Sequence, residues 1–272
     1  DAMSCAGHAF VKTPNIDLLA SGGVRFTNAF VTISLCAPSR ACFLTGTYPH
    51  TKGVRTHEGQ EFDPAVFSTY PQLLQKGGYE TAFIGKWHMK PIDDPRPGFD
   101  YWFSFKGQGV YNDPQVNENG KSFQANGYMT DILAQHAVDW LKQPRSKPFS
   151  LCLWHKAVHG PFTPAERHKD LYADASLPEP ANFRDTFDGK PEWQKKPGTR
   201  PNVDARPNAN RGRAGSRPAG SAPAQPAWNG HTRGMIDYYR AEAAVDESVE
   251  RVLATLKETG QLENTYIIFA GD

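Results

Sequence analysis

The spacing of apolar residues predicts two long amphipathic helices. In Tyr128–Lys142 the apolar side chains recur every three or four residues, which places them on one face of a helix. Tyr238–Lys257 repeats this spacing. Two shorter helices are predicted after Thr13 and Thr69, because a proline follows each threonine within two residues and a pair of glycines ends each segment. Thr13 is the expected N-cap of the first of them.

Short apolar runs between the helices predict strands. They are Val24–Phe30, Tyr79–Ile84, Phe149–Trp154 and Thr265–Ala270. Strands that alternate with helices favour an α/β fold with a largely parallel central sheet and helices on both of its faces. Ligands of such sheets bind beyond the carboxyl ends of the strands. The segments in that position are Gly85–His88, His155–His159 and the final residue, Asp272.

The length and composition of the chain are those of a folded domain with a sizeable core. It has 272 residues, of which 39% are hydrophobic and 12% aromatic. No stretch reaches the roughly 18 uncharged apolar residues of a membrane-spanning helix. Because the chain starts at Asp1 rather than at a methionine and ends at Asp272 directly after an apolar run, we expect one domain, 1–272, that is incomplete at both ends.

One segment differs from the rest in charge and composition. Residues 195–227 contain seven basic residues, one acidic residue, six prolines and no aromatic residue. This composition predicts a low-complexity, disordered insertion that serves as a solvated spacer or binds a polyanion. The whole chain has a formal net charge of +1, so the remainder is mildly acidic, which argues against a nucleic-acid-binding surface.

The segment Cys36–Gly46 carries the strongest chemical signal. Pro38 fits the first turn of a helix that Ser39–Leu44 continue, so Cys36 is predicted at the helix N-terminus. Unpaired backbone N–H groups at that position attract anions and lower the pKa of a thiol. Arg40, one turn on, offers a planar pair of donors to a tetrahedral oxyanion. These residues alone leave two interpretations open, a nucleophile beside an anion site or a buried structural cysteine.

The same segment resembles the signature of the type I sulfatases, a formylglycine-dependent family of the alkaline-phosphatase-like superfamily. In that signature a cysteine or serine precedes a proline or alanine, an arginine and a Leu-Thr-Gly, which Cys36, Pro38, Arg40 and Leu44–Gly46 match. The resemblance implies that a formylglycine-generating enzyme oxidises Cys36 to formylglycine. In the family one hydroxyl of the hydrated aldehyde attacks sulfur and the other expels sulfate, a second step that a thiol cannot perform.

Two further blocks match the family in the same order. Gly85–His88 is similar to its Gly-Lys-Trp-His block, which implies that Lys86 contacts sulfate and that His88 helps to release it. His159–Phe162 is similar to its His-x-Pro-Phe block, which implies a general acid at His159. Taken singly, a lysine such as Lys86 is more often a surface residue, and a histidine such as His88 or His159 is more often structural. Together they predict a catalytic set that consists of Cys36, Arg40, Lys86, His88 and His159.

The final residues, Leu262–Asp272, resemble the strand and the start of the metal loop of the family. The resemblance implies one divalent cation, usually Ca²⁺, with Asp272 as a ligand. The family's other metal ligands would lie outside this chain. We therefore expect the 272 residues by themselves to be inactive and the full-length protein to be active.

Similarity within Gly98–Tyr111 and His155–His159 points to sulfatases of sulfated amino sugars in mucins or glycosaminoglycans. N-acetylglucosamine-6-sulfate is the first expectation for the substrate, with His155 and Lys156 as candidates for substrate contact. The aromatic residues of Gly98–Tyr111 suit either a stacked sugar ring or the protein core. The habit of the family implies secretion, or export to a periplasm or a lysosome.

Three other functions stay open. One is a phosphomonoester or phosphonate hydrolase of the same superfamily, although those relatives generally use serine or threonine where this chain has Cys36. A second is an inactive relative that binds sulfated glycans through the pocket or through residues 195–227. The third and least favoured is a cysteine hydrolase that pairs Cys36 with His88 or His159.

Overall fold

The computed structural model describes residues 2–56, 67–89, 93–181, 183, 188–191 and 229–272. The chain divides into two compact units, Asp1–Ala173 with Ile236–Asp272, and Asp174–Met235. All the predicted site residues belong to the first unit, whereas the predicted insertion 195–227 lies outside the described residues. Among the described helices, none combines the length and apolar character that crossing a membrane requires.

Six helices of the described residues bear out the five that the sequence predicts and add one, α3. They are α1 (Pro14–Gly22), α2 (Cys36–Thr45), α3 (Pro49–Lys52), α4 (Tyr70–Lys76), α5 (Met129–Leu141) and α6 (Asn229–Glu258). Helix α4 begins with a capping box, in which Thr69 and Gln72 satisfy each other's backbone N–H groups. Helix α2 starts at Cys36, as its proline predicts. Short 3₁₀ turns form at Ser4–Ala6, Glu166–His168 and Leu262–Asn264.

Thr13 is the N-cap residue of α1, as predicted, but its side chain does not cap the helix. The side chain of Thr13 makes no capping hydrogen bond and instead donates to the Asp17 carboxylate at 3.2 Å. The backbone N–H groups of Asn15 and Ile16 donate to the carboxylate of Asp246, at 3.0 and 2.8 Å. A buried aspartate of α6 therefore caps α1 from across the fold.

The central sheet has five strands, in the order β4-β3-β2-β1-β5. The strands are β1 (Glu80–Lys86), β2 (Tyr101–Phe105), β3 (Gln115–Glu118), β4 (Lys121–Gln124) and β5 (Phe149–Trp154). Strand β1 runs parallel to β2 and β5, whereas β3 and β4 extend the sheet in antiparallel fashion. The predicted α/β fold is confirmed with a mixed sheet, because the connections between β2, β3 and β4 are too short for a parallel crossover.

Helices cover both faces of the sheet, as the strand–helix alternation predicts. Ala82 and Ile84 of β1 pack in one apolar cluster with residues of α5 and with Leu256 of α6. Phe83, between them, points to the opposite face and packs in a second cluster with Trp102 and residues of α2. The sheet thus places the N-terminus of α2 near the carboxyl end of β1, through the core that the two elements share.

Two predicted strands do not form. Val24–Phe30 and Thr265–Ala270 have no regular secondary structure. A strand is held by backbone hydrogen bonds to a neighbouring strand, and no described residue pairs with either segment. Their apolar side chains consequently lie in solvent, with Phe26 79% and Tyr266 100% exposed.

Candidate active site

Cys36 occupies the first position of α2. The preceding Leu35 is extended, and its carbonyl accepts the first hydrogen bond of the helix from the N–H of Ser39 at 2.9 Å. The backbone N–H groups of the first turn are therefore left for a ligand or a side chain. The thiol of Cys36 is half-buried, so it is reachable from solvent yet close to the core.

Lys86 and His88 come to Cys36 from the carboxyl end of β1. Both side chains act on the ionisation of the Cys36 thiol. Burial by itself raises the pKa of Cys36, but the hydrogen bond from His88 and the charge of Lys86 outweigh burial and bring the pKa below the ordinary value of a thiol. This strand end and the helix N-terminus together form a site that favours negative charge.

A glycine makes this approach of β1 to its neighbour possible. Gly85 has a φ of +129°, and a Cβ atom at this position would lie 1.9 Å from the carbonyl oxygen of Trp154 on β5. The carbonyl of Gly85 also accepts a hydrogen bond from the Ser104 hydroxyl of β2 at 2.8 Å. The backbone next to Lys86 is therefore held by both neighbouring strands, β5 and β2.

Arg40 links the helix to the strand and to the last residue of the chain. It is 6% exposed, and one terminal nitrogen donates to the carbonyl of Lys86 at 2.8 Å. The other terminal nitrogen forms an ion pair with Asp272 at 2.7 Å. The guanidinium lies 5.0 Å from the ring centroid of Trp154. Its Nε is a buried donor without a partner among the described residues.

His159 and Lys156 lie in the loop after β5. The ring Nδ1 of His159 is 2.8 Å from the carbonyl oxygen of Gly160. Burial lowers the pKa of His159, and the nearby charges of Lys86 and Lys156 lower it further. Burial and Lys86 likewise lower the pKa of Lys156 to about 8. Both residues therefore lie within electrostatic range of Lys86.

His155, the other predicted substrate contact, faces elsewhere. Its Nε2 is 3.1 Å from the hydroxyl of Ser248 on α6. Burial lowers its pKa to about 4, so the ring is neutral at physiological pH. The structure thus brings seven predicted residues together and sets His155 against a helix. The seven residues are Cys36, Arg40, Lys86, His88, Lys156, His159 and Asp272.

The described residues do not make a complete site for Ca²⁺. Within the described ranges no three His, Cys, Asp or Glu side chains are grouped so that they could hold a metal ion. Ca²⁺ takes six to eight oxygen ligands, whereas Asp272 offers one carboxylate that is already paired with Arg40. The role of Asp272 as a ligand stays a prediction, and we derive no step through a metal.

Sequence reasoning missed two aromatic residues that support the site. Trp154 ends β5 and lies against Arg40, a place to which the rule on strand ends already pointed. Tyr111 contacts both Lys156 and His159. It belongs to the aromatic segment that suited either a sugar or the core, and the structure buries Trp102 and Phe103 of that segment in the core.

Comparison with known proteins agrees with this geometry. The chain is 34% identical to an N-acetylglucosamine-6-O-sulfatase of Bacteroides thetaiotaomicron, over 100% of the chain and 55% of that protein. It superposes with a TM-score of 0.80 and 31% identity on a protein solved in complex with its substrate D-glucosamine-2-N,6-O-disulfate, covering 97% of the chain and 61% of that protein. The chain thus spans little more than half the length of these relatives.

A more distant structure shows the fold alone. The phosphonate monoester hydrolase of Agrobacterium radiobacter superposes with a TM-score of 0.66 at 22% identity, over 97% of the chain and 58% of that protein. The architecture is therefore alkaline-phosphatase-like. The sequence profile described as Sulfatase matches residues 1–272, the whole length. With the fold, the motif geometry and this match in agreement, the chain belongs to the sulfatase family.

Proposed function

We propose that the whole protein hydrolyses sulfate esters of a sulfated carbohydrate and that an N-acetylglucosamine-6-sulfate unit is its substrate. The observation that carries the proposal is the convergence of Arg40, Lys86 and His88 at Cys36, on the N-terminus of α2. Two fixed cations and a helix N-terminus suit a tetrahedral anion. The amino sugar is supported by the 34% identical relative and by the 31% identical protein solved with a sulfated glucosamine.

Arg40 and Lys86 bind and orient the sulfate group. Arg40 retains a buried Nε–H without a partner among the described residues, and a buried donor of this kind is a place for an acceptor. Lys86 is 2% exposed and lies at a fixed strand end. Because the Arg40 guanidinium is held by a backbone carbonyl and the Lys86 side chain is buried, both cations need little reorganisation when the anion enters.

The side chains around position 36 handle the protons of the reaction. Formylglycine at this position would supply a hydrated aldehyde as the nucleophile, the chemistry general to the family. Lys86 and His88 both act on the side chain at position 36. Lys86, as a cation, can orient the nucleophile, and the neutral ring of His88 can accept its proton. His159 donates a proton to the leaving sugar oxygen. The negative charge of a bound sulfate opposes the charges of Lys86 and Lys156 and so raises the pKa of His159 towards the range of a general acid.

The first experiment is a mass spectrum of the tryptic peptide Phe26–Arg40 from the whole protein, produced in its own host. No lysine or arginine interrupts this peptide, so the state of Cys36 is read directly. The mass of formylglycine is the expected result and would also imply that a maturation enzyme acts on the protein. An unmodified thiol, in a host that converts other sulfatases, would favour an inactive glycan-binding relative.

Two variants separate binding from turnover. Cys36→Ala removes the nucleophile but leaves Arg40 and Lys86, so turnover should be lost while a sulfate ester still binds. Arg40→Ala should lose binding as well. If binding persists in Arg40→Ala and disappears on deletion of 195–227, the insertion rather than the pocket holds the glycan.

A phosphonate or phosphomonoester hydrolase is the second candidate, favoured by the fold shared with the Agrobacterium enzyme. Cys36, Pro38 and Arg40 argue against it because they match the sulfatase signature. Rates on sulfate and phosphate esters with the same alcohol decide between the two.

We further propose export to a periplasm, a lysosome or the extracellular space, where sulfated glycans occur. A fractionation of the native host tests this location.

A further inference from the structure

Tyr111 is a buried aromatic residue that the proposed reaction does not yet use. It is 4% exposed and lies in the loop between β2 and β3. The N–H of Met129, the first residue of α5, donates to the carbonyl of Tyr111 at 2.7 Å. Its ring stacks on that of Tyr128, with centroids 5.7 Å apart. Backbone and ring are thus both anchored at the start of a helix.

The hydroxyl of Tyr111 holds the backbone of His159. It donates to the carbonyl oxygen of His159 at 2.7 Å and accepts a hydrogen bond from the N–H of the same residue at 3.2 Å. Burial raises the pKa of Tyr111 to about 12, so the hydroxyl keeps its proton at neutral pH. His159 lies in a loop outside regular secondary structure, and this pair of bonds ties that loop to α5.

The ring of Tyr111 supports a second side chain of the site. The ammonium of Lys156 lies 4.4 Å from the ring centroid. Lys156 is 3% exposed, and no carboxylate of the described residues forms an ion pair with it. A buried ammonium without a counter-charge is costly, and an anionic substrate lowers that cost. The ring therefore keeps this cation where a substrate can meet it.

We propose that Tyr111 is a positioning residue of the reaction, whose hydroxyl fixes His159 for proton donation and whose ring fixes Lys156 for substrate binding. The inference rests on the proposed function, since it assigns His159 to the leaving-group oxygen. The two roles belong to different atoms of one side chain, so two substitutions separate them.

The first test is a double-mutant cycle of Tyr111→Phe and His159→Ala on a 6-sulfated amino sugar. Tyr111→Phe keeps the ring and removes both hydrogen bonds to His159, so kcat should fall about tenfold while KM stays nearly unchanged. In the His159→Ala background the same substitution should cause no further loss, because the group it positions is absent. Additive losses would overturn the inference.

A second readout is the dependence on the leaving group. An aryl sulfate with an acidic phenol needs little proton donation, so Tyr111→Phe should slow its hydrolysis far less than that of the sugar sulfate. Equal losses on both esters would mean that Tyr111 acts only on the fold. Tyr111→Leu removes the ring as well, and KM for the sugar sulfate should rise severalfold above that of Tyr111→Phe; an unchanged KM would remove the assignment to Lys156.

Tyr128→Phe is the matched control. The Tyr128 hydroxyl also donates to a backbone carbonyl, that of Thr163 at 2.9 Å. The Tyr128 ring stacks on the ring of Tyr111, but Tyr128 makes no hydrogen bond to His159. Wild-type kcat and KM are expected. The same loss as in Tyr111→Phe would show that any buried hydroxyl here matters. A matured wild-type protein that hydrolyses neither ester would instead refute the proposed function itself, and the inference with it.

Discussion

The ionisation of Cys36 results from two opposed effects on one side chain. Burial favours the neutral thiol, whereas the hydrogen bond from His88 and the charge of Lys86 favour the thiolate and prevail. The thiolate is the form that reacts with alkylating reagents. Cys36 in protein that has not been converted should therefore react at a pH where an ordinary thiol is still protonated.

We expect Lys86→Met to shift the pH dependence of Cys36 alkylation to higher pH. The substitution removes a cation whose charge lowers the pKa of the thiol. The measurement is the rate of iodoacetamide incorporation into Phe26–Arg40 in unconverted protein, followed by mass spectrometry over a range of pH. Cys42 lies in the next tryptic peptide and serves as the internal control. An unchanged curve for Cys36 would contradict the proposed contact.

Among the elements, the pairing of β1 with β5 depends on the close approach at Gly85. A Cβ atom there would meet the carbonyl carbon and oxygen of Trp154, at 2.7 and 1.9 Å. These are backbone atoms of a neighbouring strand, so no side-chain rotation relieves the contact. The same approach brings Trp154 under Arg40, which couples the packing of the sheet to the site.

Gly85→Ala should lower the free energy of unfolding by more than about 3 kcal/mol, which is the range of severe core substitutions. The control is Gly120→Ala, where φ is also positive, at +91°, but a Cβ atom meets nothing within 4 Å. That variant should lose about 1–2 kcal/mol from backbone strain alone. Urea unfolding of the two variants measures the difference; equal losses would mean that the contact with Trp154 is not the cause.

The capping of α1 by Asp246 also depends on a contact between two elements, α1 and α6. The carboxylate accepts hydrogen bonds from the backbone of Asn15 and Ile16 and from the Asn15 side chain. Because the acceptor is charged and lies at a helix N-terminus, it interacts favourably with the helix dipole as well. One buried carboxylate thus joins the first helix to the last.

Asp246→Ala should destabilise the protein by about 2 kcal/mol, the upper range for loss of an N-cap. Asp237→Ala is the matched control on the same helix. Asp237 makes an ion pair with Arg240, three residues away, and its loss should cost under about 0.5 kcal/mol. Thermal unfolding of both variants tests this. A loss for Asp237→Ala as large as that for Asp246→Ala would point to a general effect on α6.

For the molecule as a whole, α6 connects distant parts of the chain through polar contacts as well as apolar ones. Besides Asp246, its Glu247 pairs with Arg167 and His168, and Ser248 contacts His155. Glu242 differs from these, since its Oε2 is buried without a partner among the described residues. Burial, reinforced by the charge of Asp246, raises the pKa of Glu242 to about 7.

This raised pKa gives the stability of the protein a pH dependence with a definite sign. A carboxyl whose pKa is higher in the folded state stabilises the fold while protonated, and that stabilisation is lost as the pH rises from the unfolded value near 4.5 to about 7. Glu242→Gln stays neutral, so above pH 7 it should be more stable than the wild type by about 3 kcal/mol. Below pH 4.5 the two should be equal. Urea unfolding at pH 4 and pH 8 compares them; a constant difference would contradict the assignment.

The sequence by itself determined what depends on neighbours a few residues away. The spacing of apolar residues and the prolines near helix starts predicted α1, α2, α4, α5 and α6, because hydrogen bonds and periodicity within a helix are local. The family motifs, which are short local blocks of sequence, likewise predicted the candidate catalytic residues Cys36, Arg40, Lys86, His88 and His159. Their assigned roles stay predictions.

Only the tertiary structure decided what depends on distant partners. The sequence predicted strands at Val24–Phe30 and Thr265–Ala270. A strand requires a neighbouring strand, however, and no described segment pairs with either of them. Thr13 occupies the predicted N-cap position, but the acceptor that caps the helix is a carboxylate 230 residues away. In the sequence Tyr111 is one aromatic residue among several, and only the structure shows that it contacts His159 and Lys156. Such contacts arise from packing between elements, and the local sequence pattern does not determine which distant residue makes the contact.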